Sequence, residues 1–305
     1  MYQENTVWKQ LQKYLPKDCR IDESIFPEEK YVDYNSSAIH LDAYKPQNPK
    51  NNTVLILFHG VGGNGRLLSF LAVPLAKYGF SVICPDLPGY GFTNYNGTIT
   101  YQTWIDVGNF IVNLEAELGN KVFIMGLSAG GMLAYNIACT NKNVSGLIVT
   151  NILDNRQKKV LQYSAKNKFM GNYGIKIISK MPLFIKKIKV PIKLVTNMNA
   201  IVNNKKVLKL LLKDKKGAGS IITILFLLSM INHIPLLEGE QFNKIPILLA
   251  HPEDDKWTPL HISELFFDKI DSIKYKIILE NAGHFPIEEP GINQLINGII
   301  DFVNK

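Results

Sequence analysis

The chain has 305 residues, of which 46% are hydrophobic and 20% charged. That balance excludes a disordered or collagen-like polymer and supplies ample apolar material for a large core. Three scattered cysteines, Cys19, Cys84 and Cys139, include no Cys-x-x-Cys pair and exclude a disulfide framework, so reduced, buried thiols are expected. The opening residues contain no apolar stretch of the kind a secretory signal needs, which gives a cytoplasmic location as the expectation.

Net charge is +8, but it is unevenly placed. From Arg156 to Lys216 there are 16 lysines and one arginine against a single acid, Asp214, a local +16 that leaves −8 for the rest of the chain. Arginine occurs only at 20, 66 and 156. Bidentate phosphate and guanine contacts favour arginine, so nucleic acid is not expected as a partner. A lysine-rich segment suits an anionic amphiphile or an anionic membrane, here the inner membrane surface.

In chain order, alternation over Ser37–Tyr44 predicts a strand, and the apolar run Asn52–Phe58 predicts one buried on both faces of a parallel sheet. A helix is expected over roughly Arg66–Tyr78, stopped by Gly79, and then a strand over Phe80–Cys84. Trp104, Val107, Ile111, Leu114 and Leu118 recur at helical spacing and end at Gly119. Lys121–Gly126 is a third buried strand, Met132–Cys139 an apolar helix and Val144–Thr150 a fourth strand. Ile245–Ala250 and Tyr275–Leu279 supply two more strands, and apolar residues from Ile292 to Val303 a closing helix. Such alternation predicts an α/β fold, a mostly parallel central sheet flanked by helices. It breaks between about Asn151 and Asn243, so residues 1–150 and 244–305 are expected to form one core, with 151–243 inserted as a largely helical cap.

Four segments carry chemistry. Gly126-Leu127-Ser128-Ala129-Gly130 is a G-x-S-x-G between a buried strand and a helix, where a sharp turn exposes the serine and the flanking positions must be tiny. His59-Gly60-Val61-Gly62-Gly63 follows another buried strand and can aim backbone N–H groups, those of Val61 and Ala129, at a developing oxyanion. It lacks the Gly-Lys-Ser/Thr of a phosphate loop and the G-x-G-x-x-G of a dinucleotide site. His284, in Asn281-Ala-Gly-His284, leaves the carboxyl end of the last strand and is placed to act as a base. Glu253, Asp254 and Asp255 lie past the preceding strand and offer the carboxylate that would orient it.

The order Ser…Asp…His, the elbow, the His-Gly turn and Asp86-Leu-Pro-Gly-Tyr-Gly91 together resemble the α/β-hydrolase superfamily, over about 52–150 and 244–303. Within it the chain is most similar to the lysophospholipase and monoacylglycerol-lipase-like branch. The resemblance implies Ser128 as nucleophile, His284 as base and no cofactor or metal. The family acid usually precedes a proline by four positions, which picks Asp255 before Pro259 over Asp254; some members carry it where Asp154 stands. Pro252 departs from the family pattern, where glycine is frequent.

The resemblance says almost nothing of the cap. There, 217–237 is free of charge, densest over Ile221–Ile231, but its flanks spend their length on Gly-Ala-Gly-Ser and Asn-His-Ile-Pro. A core-facing cap helix, an apolar wall for an acyl chain and, least of all, a membrane span are the readings. The expectation is a serine hydrolase of carboxylic esters, acting through an acyl-enzyme on a lysophospholipid or monoacylglycerol. Small-ester or thioester hydrolysis, carbon–carbon cleavage and acyl transfer run on the same fold. A non-catalytic ligand-binding protein or a peripheral membrane-binding module is the alternative of another class.

Overall fold

The computed structural model describes residues 1–167 and 170–305. Lys168, one of the sixteen lysines of the basic segment, lies outside them. Eight strands form one sheet in the order β1-β2-β4-β3-β5-β6-β9-β10. They are β1 Glu28–Tyr34, β2 Ser37–Tyr44, β3 Thr53–Phe58, β4 Ser81–Pro85, β5 Lys121–Gly126, β6 Val144–Val149, β9 Ile247–Pro252 and β10 Lys274–Leu279. A separate two-stranded antiparallel sheet is formed by β7 Lys189–Pro191 and β8 Ile221–Thr223. From β4 to β10 the sheet is parallel, and β1 and β2 add to it antiparallel.

The strands the sequence predicts are present, and their burial explains why they were readable. Every residue of β3 and β9 is buried, so covering helices on both faces demand continuous apolar runs. β1 was not expected. Four of its seven residues, Glu28, Glu29, Lys30 and Asp33, are charged, as suits an edge strand, and no apolar run marks it. It turns into β2 through Asn35 and Ser36, both at positive φ (50° and 59°), where glycine would have been the signal.

Helices α1 Thr6–Leu11, α2 Ser69–Tyr78, α3 Tyr101–Glu117, α4 Ala129–Thr140, α11 Leu260–Phe267 and α12 Gly291–Val303 belong to this body. α4, buried along Gly130–Cys139, is apolar around its whole circumference because the sheet takes one side and α3 another. All three cysteines are buried and unpaired.

Between β6 and β9 the chain leaves the sheet. It forms the short helices α5 Lys158–Ser164, α6 Ile175–Ser179, α7 Leu183–Lys186, α8 Ile192–Val195 and α9 Lys205–Leu211, then α10 Ile224–Ile231. The charge-free run over 217–237 is thus divided between β8, α10 and loops. Among the described residues no helix is long and apolar enough to cross a membrane.

Candidate active site

The carboxyl ends of five parallel strands face the inserted segment. In register, Phe58 of β3 lies beside Gly126 of β5, and Gly126 beside Val149 of β6. The chain after each of these strands contributes to one constellation, as do the turns after β9 and β10.

Ser128 sits at φ 59° and ψ −126°, a conformation that costs a side-chain-bearing residue on the order of 1–3 kcal/mol and persists only where the surroundings enforce it. They do so by close backbone approach. A Cβ on Gly126 would lie 1.9 Å from the Gly130 carbonyl oxygen, one on Gly130 2.4 Å from that of Phe58, and one on Gly131 1.8 Å from that of Asn151. The Ser128 amide donates to Thr150 Oγ1 at 3.1 Å, and α4 starts at the next residue.

His284 Nε2 lies 2.7 Å from Ser128 Oγ, and its Nδ1 lies 2.8 Å from Asp255 Oδ2. The imidazole and Asp255 are both buried. Burial works to raise the Asp255 pKa, but the adjoining imidazole and the Trp257 and Thr258 amides, each 2.8 Å from Oδ1, outweigh it and hold the carboxyl well below the usual range. Asp255 therefore faces His284 as an anion. Asp254 and Glu253 are exposed; the Asp254 amide donates to the Ala282 carbonyl and Glu253 Oε2 accepts from the Asn281 amide. Asp154 is not at the histidine either. Its carboxylate takes a bidentate pair from Arg156 (2.8 and 3.0 Å), which also grips Glu238 at 2.6 and 2.7 Å.

Two residues that sequence reasoning missed complete the support of Asp255. Asn151 Nδ2 donates to Asp255 Oδ2 and to Thr258 Oγ1, both at 3.1 Å, and the Thr258 hydroxyl donates to Asp255 Oδ2 at 3.0 Å. His251, buried and held neutral by desolvation despite Asp255 nearby, lies 3.2 Å from the same Asn151 amide. The three-residue step from Asp255 to Thr258 was the available signal, since an Asp carboxylate commonly accepts from amides two and three residues on.

Gly60 lies against the serine turn: its Cβ would stand 2.8 Å from the Leu127 carbonyl oxygen, 3.0 Å from Ser128 Cβ and 3.1 Å from the Ala129 nitrogen. That approach brings the 60–61 peptide beside Ala129, and Val61, Ser128 and Ala129 line one cavity. His59 is part of the scaffold. It is fully buried, its pKa is lowered to about 4 by desolvation, its Nε2 accepts from the Leu87 amide at 3.0 Å, and Nδ1 donates to the Gly60 carbonyl at 2.8 Å. The Asp86 loop stands behind it. Asp86 accepts from the Gly65 and Phe92 amides (2.7 and 2.8 Å) and from the Tyr2 hydroxyl at 2.9 Å, and Gly91 has no room for a Cβ against its carboxylate.

From Ser128 the cavity runs past Tyr101, Asn136 and His233, with His233 Nε2 3.0 Å from Asn136 Oδ1. Asn155, Ser164, Thr196 and Met230 also wall a neighbouring apolar chamber under α10, lined by Leu161, Ile175, Ile178, Val195, Leu228 and Ile231. A second arm beside His284 is lined by Leu67, Leu68, Ile201, Leu211 and Phe285. The α10 run therefore walls an apolar chamber and also packs against neighbouring helices. A cation site is not offered by Glu29, His40 and Asp42, although their ligand atoms lie within 4.8 Å of one another, because the Arg66 guanidinium already occupies both carboxylates.

Residues 49–291 match the family described as serine aminopeptidase, S33. The chain belongs to that family. The expected α/β-hydrolase fold is thereby established. A pimeloyl-[acyl-carrier protein] methyl ester esterase of Legionella pneumophila is 33% identical over 100 residues, 33% of this S33 chain and 36% of that protein. A thermostable monoacylglycerol lipase of Bacillus sp. is 28% identical over 114 residues, 36% of this chain and 45% of the lipase. The chain thus aligns with between about a third and a half of the length of these curated relatives. Among solved structures, a soluble variant of the monoglyceride lipase of Saccharomyces cerevisiae superposes with a TM-score of 0.75 at 18% identity, covering 92% of this chain and 96% of the lipase. That likeness is one of fold.

Proposed function

We propose that the protein hydrolyses carboxylic esters of an acyl lipid, a monoacylglycerol or a lysophospholipid, with Ser128 as nucleophile. The observation that carries this reading is a Ser128–His284–Asp255 hydrogen-bonded chain whose serine lines a cavity that shares walls with an apolar chamber. Ser128 Oγ attacks the acyl carbonyl as its proton passes to unprotonated His284 Nε2. The anionic Asp255 holds the ring in the tautomer that leaves Nε2 free and stabilises the imidazolium. The Val61 and Ala129 amides receive the oxyanion, a contribution that typically amounts to about 3–4 kcal/mol per donor. Collapse expels the alcohol, which takes the proton from Nε2, and water then cleaves the acyl-enzyme by the same route. No step requires a cofactor.

The segment 151–243 serves as the cap that selects substrate. Its chamber under α10 receives the acyl chain, and Tyr101, Asn136 and His233 give the cavity hydrogen-bonding groups suited to head-group hydroxyls. That the Bacillus relative is a monoacylglycerol lipase and the yeast relative a monoglyceride lipase supports the lipid reading. Peptide hydrolysis from an amino terminus is disfavoured by one feature. Among the described residues the only acid lining these cavities is Asp154, and Arg156 already pairs with it, so none is left to hold a substrate ammonium.

The deciding experiment is hydrolysis of p-nitrophenyl esters from acetyl to palmitoyl, run beside Ser128→Ala. Turnover favouring long chains and lost in the variant, by about four orders of magnitude or more, is the expected result. Turnover confined to acetyl and butyryl would discard the lipid substrate, and a purified, folded Ser128→Ala protein that still turns over would remove Ser128 from its role.

A further inference from the structure

The outer side of the cap carries a cluster that the catalytic reading does not use. Ile177 on α6, Leu183 and Phe184 on α7, Ile188, Leu194 on α8 and Ile221 on β8 are all more than half exposed, Phe184 at 73%. Single exposed apolar side chains are ordinary on any surface. The elements that carry them are linked: Pro191 pairs with Ile221 across β7 and β8, the Ile188 carbonyl accepts from the Ile224 amide at the start of α10, and α6 and α7 both pack on α10. Six exposed apolar side chains on elements packed together suit an interaction surface.

Its charge is one-sided. Lys180, Lys187, Lys189 and Lys193 are exposed along the same stretch. Among the described residues the lysine ion pairs engage Lys45, Lys77, Lys269 and Lys276, all outside the cap. The one acid of the basic segment, Asp214, does not offset them. It is buried and turned inward, accepting from Asn64 Nδ2 of the sheet-side loop at 3.1 Å and from the Lys216 amide at 3.0 Å. The face presents apolar side chains among point-like cations and no carboxylate from its own segment.

The same elements wall the apolar chamber. Ile175 and Ile178 of α6 look into it with Leu228 and Ile231 of α10, while α6 and α7 pack on α10. One short stretch of chain thus has the chamber on its inner side and the basic apolar patch on its outer side.

We propose that this patch docks on the surface of an anionic bilayer, with Leu183 and Phe184 entering the head-group boundary and the four lysines meeting anionic head groups. An apolar strip flanked by lysines is the composition that lies in a membrane interface. Lysine, a compact charge without a planar fork, suits a diffuse field of head groups better than a shaped protein epitope. The docking is independent of Ser128 chemistry and places the chamber next to the lipid that would fill it.

Sedimentation tests it, with vesicles of phosphatidylcholine alone and of equal parts phosphatidylcholine and phosphatidylglycerol. Each measurement is repeated with Ser128→Ala, so that binding is read apart from hydrolysis. The native protein should sediment with the anionic vesicles and stay in solution with the neutral ones. Raising ionic strength from about 0.15 M to about 1 M, which shortens the Debye length from about 8 Å to about 3 Å, should release it. Leu183→Ser with Phe184→Ser, and separately Lys180, Lys187, Lys189 and Lys193 each changed to Gln, should weaken partitioning at least about tenfold. Both variants should keep the native melting temperature and native turnover of a short, water-soluble ester. Equal sedimentation with both vesicle types, unchanged binding by either folded variant, or binding to an acidic protein in place of vesicles would overturn the proposal.

Discussion

The sheet-edge loops and the cap are built on different terms. In the loops, the positions of Ser128, Asp255 and His284 follow from backbone contacts with no slack: three glycines without room for a Cβ, a serine at positive φ, and a carboxylate held by two amides, an asparagine and a threonine. In the inserted segment, five of the six α-helices among the described residues have seven residues or fewer, and apolar side chains meet a chamber on one side and solvent on the other. The first region fixes atoms to fractions of an ångström; the second only has to supply volume, apolarity and charge. Chemistry is therefore expected to be brittle to substitution and substrate choice to be graded.

That contrast can be broken or sharpened in order of size. Asp255→Asn should lower kcat by roughly 10³–10⁴-fold with KM little changed, because the amide no longer holds the correct imidazole tautomer or an opposing charge. Steady-state kinetics on a p-nitrophenyl ester decides it, and a drop of less than tenfold would move the acid elsewhere. Gly126→Ala should cost about 3 kcal/mol or more of stability in urea unfolding, since its methyl would stand 1.9 Å from the Gly130 oxygen. A cost below about 1 kcal/mol would show that the elbow can relax. Ile178→Trp, narrowing the chamber, should shift the preferred chain by several carbons and cost about tenfold in kcat/KM for palmitoyl against butyryl esters, while leaving butyryl turnover intact. Equal losses on both chain lengths would mean the chamber does not hold the acyl chain.

The smallest effect concerns the buried charges behind the loops. Burial opposes a positive charge on His40, but Asp86, with Oδ2 2.9 Å from Nδ1, outweighs it and raises the imidazole pKa, with Asp42 and Glu29 adding to the effect. A raised folded-state pKa stabilises fully below the ordinary histidine value of about 6.5, and that contribution is lost as pH rises through the folded value. Melting temperature should therefore decline by a few degrees from about pH 6.5 to 9, and the slope should flatten in His40→Gln. An identical slope in the variant would assign the decline to another group.

What the sequence disclosed follows the same division. Strands covered on both faces announce themselves as unbroken apolar runs, and a turn with no space for a Cβ announces itself as glycine, so the sheet, the elbow and the His59-Gly60 turn were legible. The choice of Asp255 over Asp254 and Asp154 came from resemblance; the structure adds a reason, since only Asp255 turns inward onto His284. Asn151 was not legible because a single polar residue past a strand looks the same whether or not its amide finds a partner a hundred residues away, whereas the spacing of Thr258 from Asp255 was a signal left unused. β1 was hidden by its charges, and the individual helices of the inserted segment by their shortness, in which too few turns repeat for a period to emerge.

Arg156 bears on how such a molecule can change. By gripping Asp154 where the chain departs from the sheet and Glu238 where it returns, it fastens the two ends of the inserted segment to each other. A loop whose ends are tied at its base is a cassette. It can be lengthened, trimmed or exchanged for that of a related hydrolase without transmitting the alteration to the strands that carry Ser128 and His284. On the proposed function, new substrates become reachable by replacement of this cassette alone, while Ser128, His284 and Asp255 are inherited unchanged.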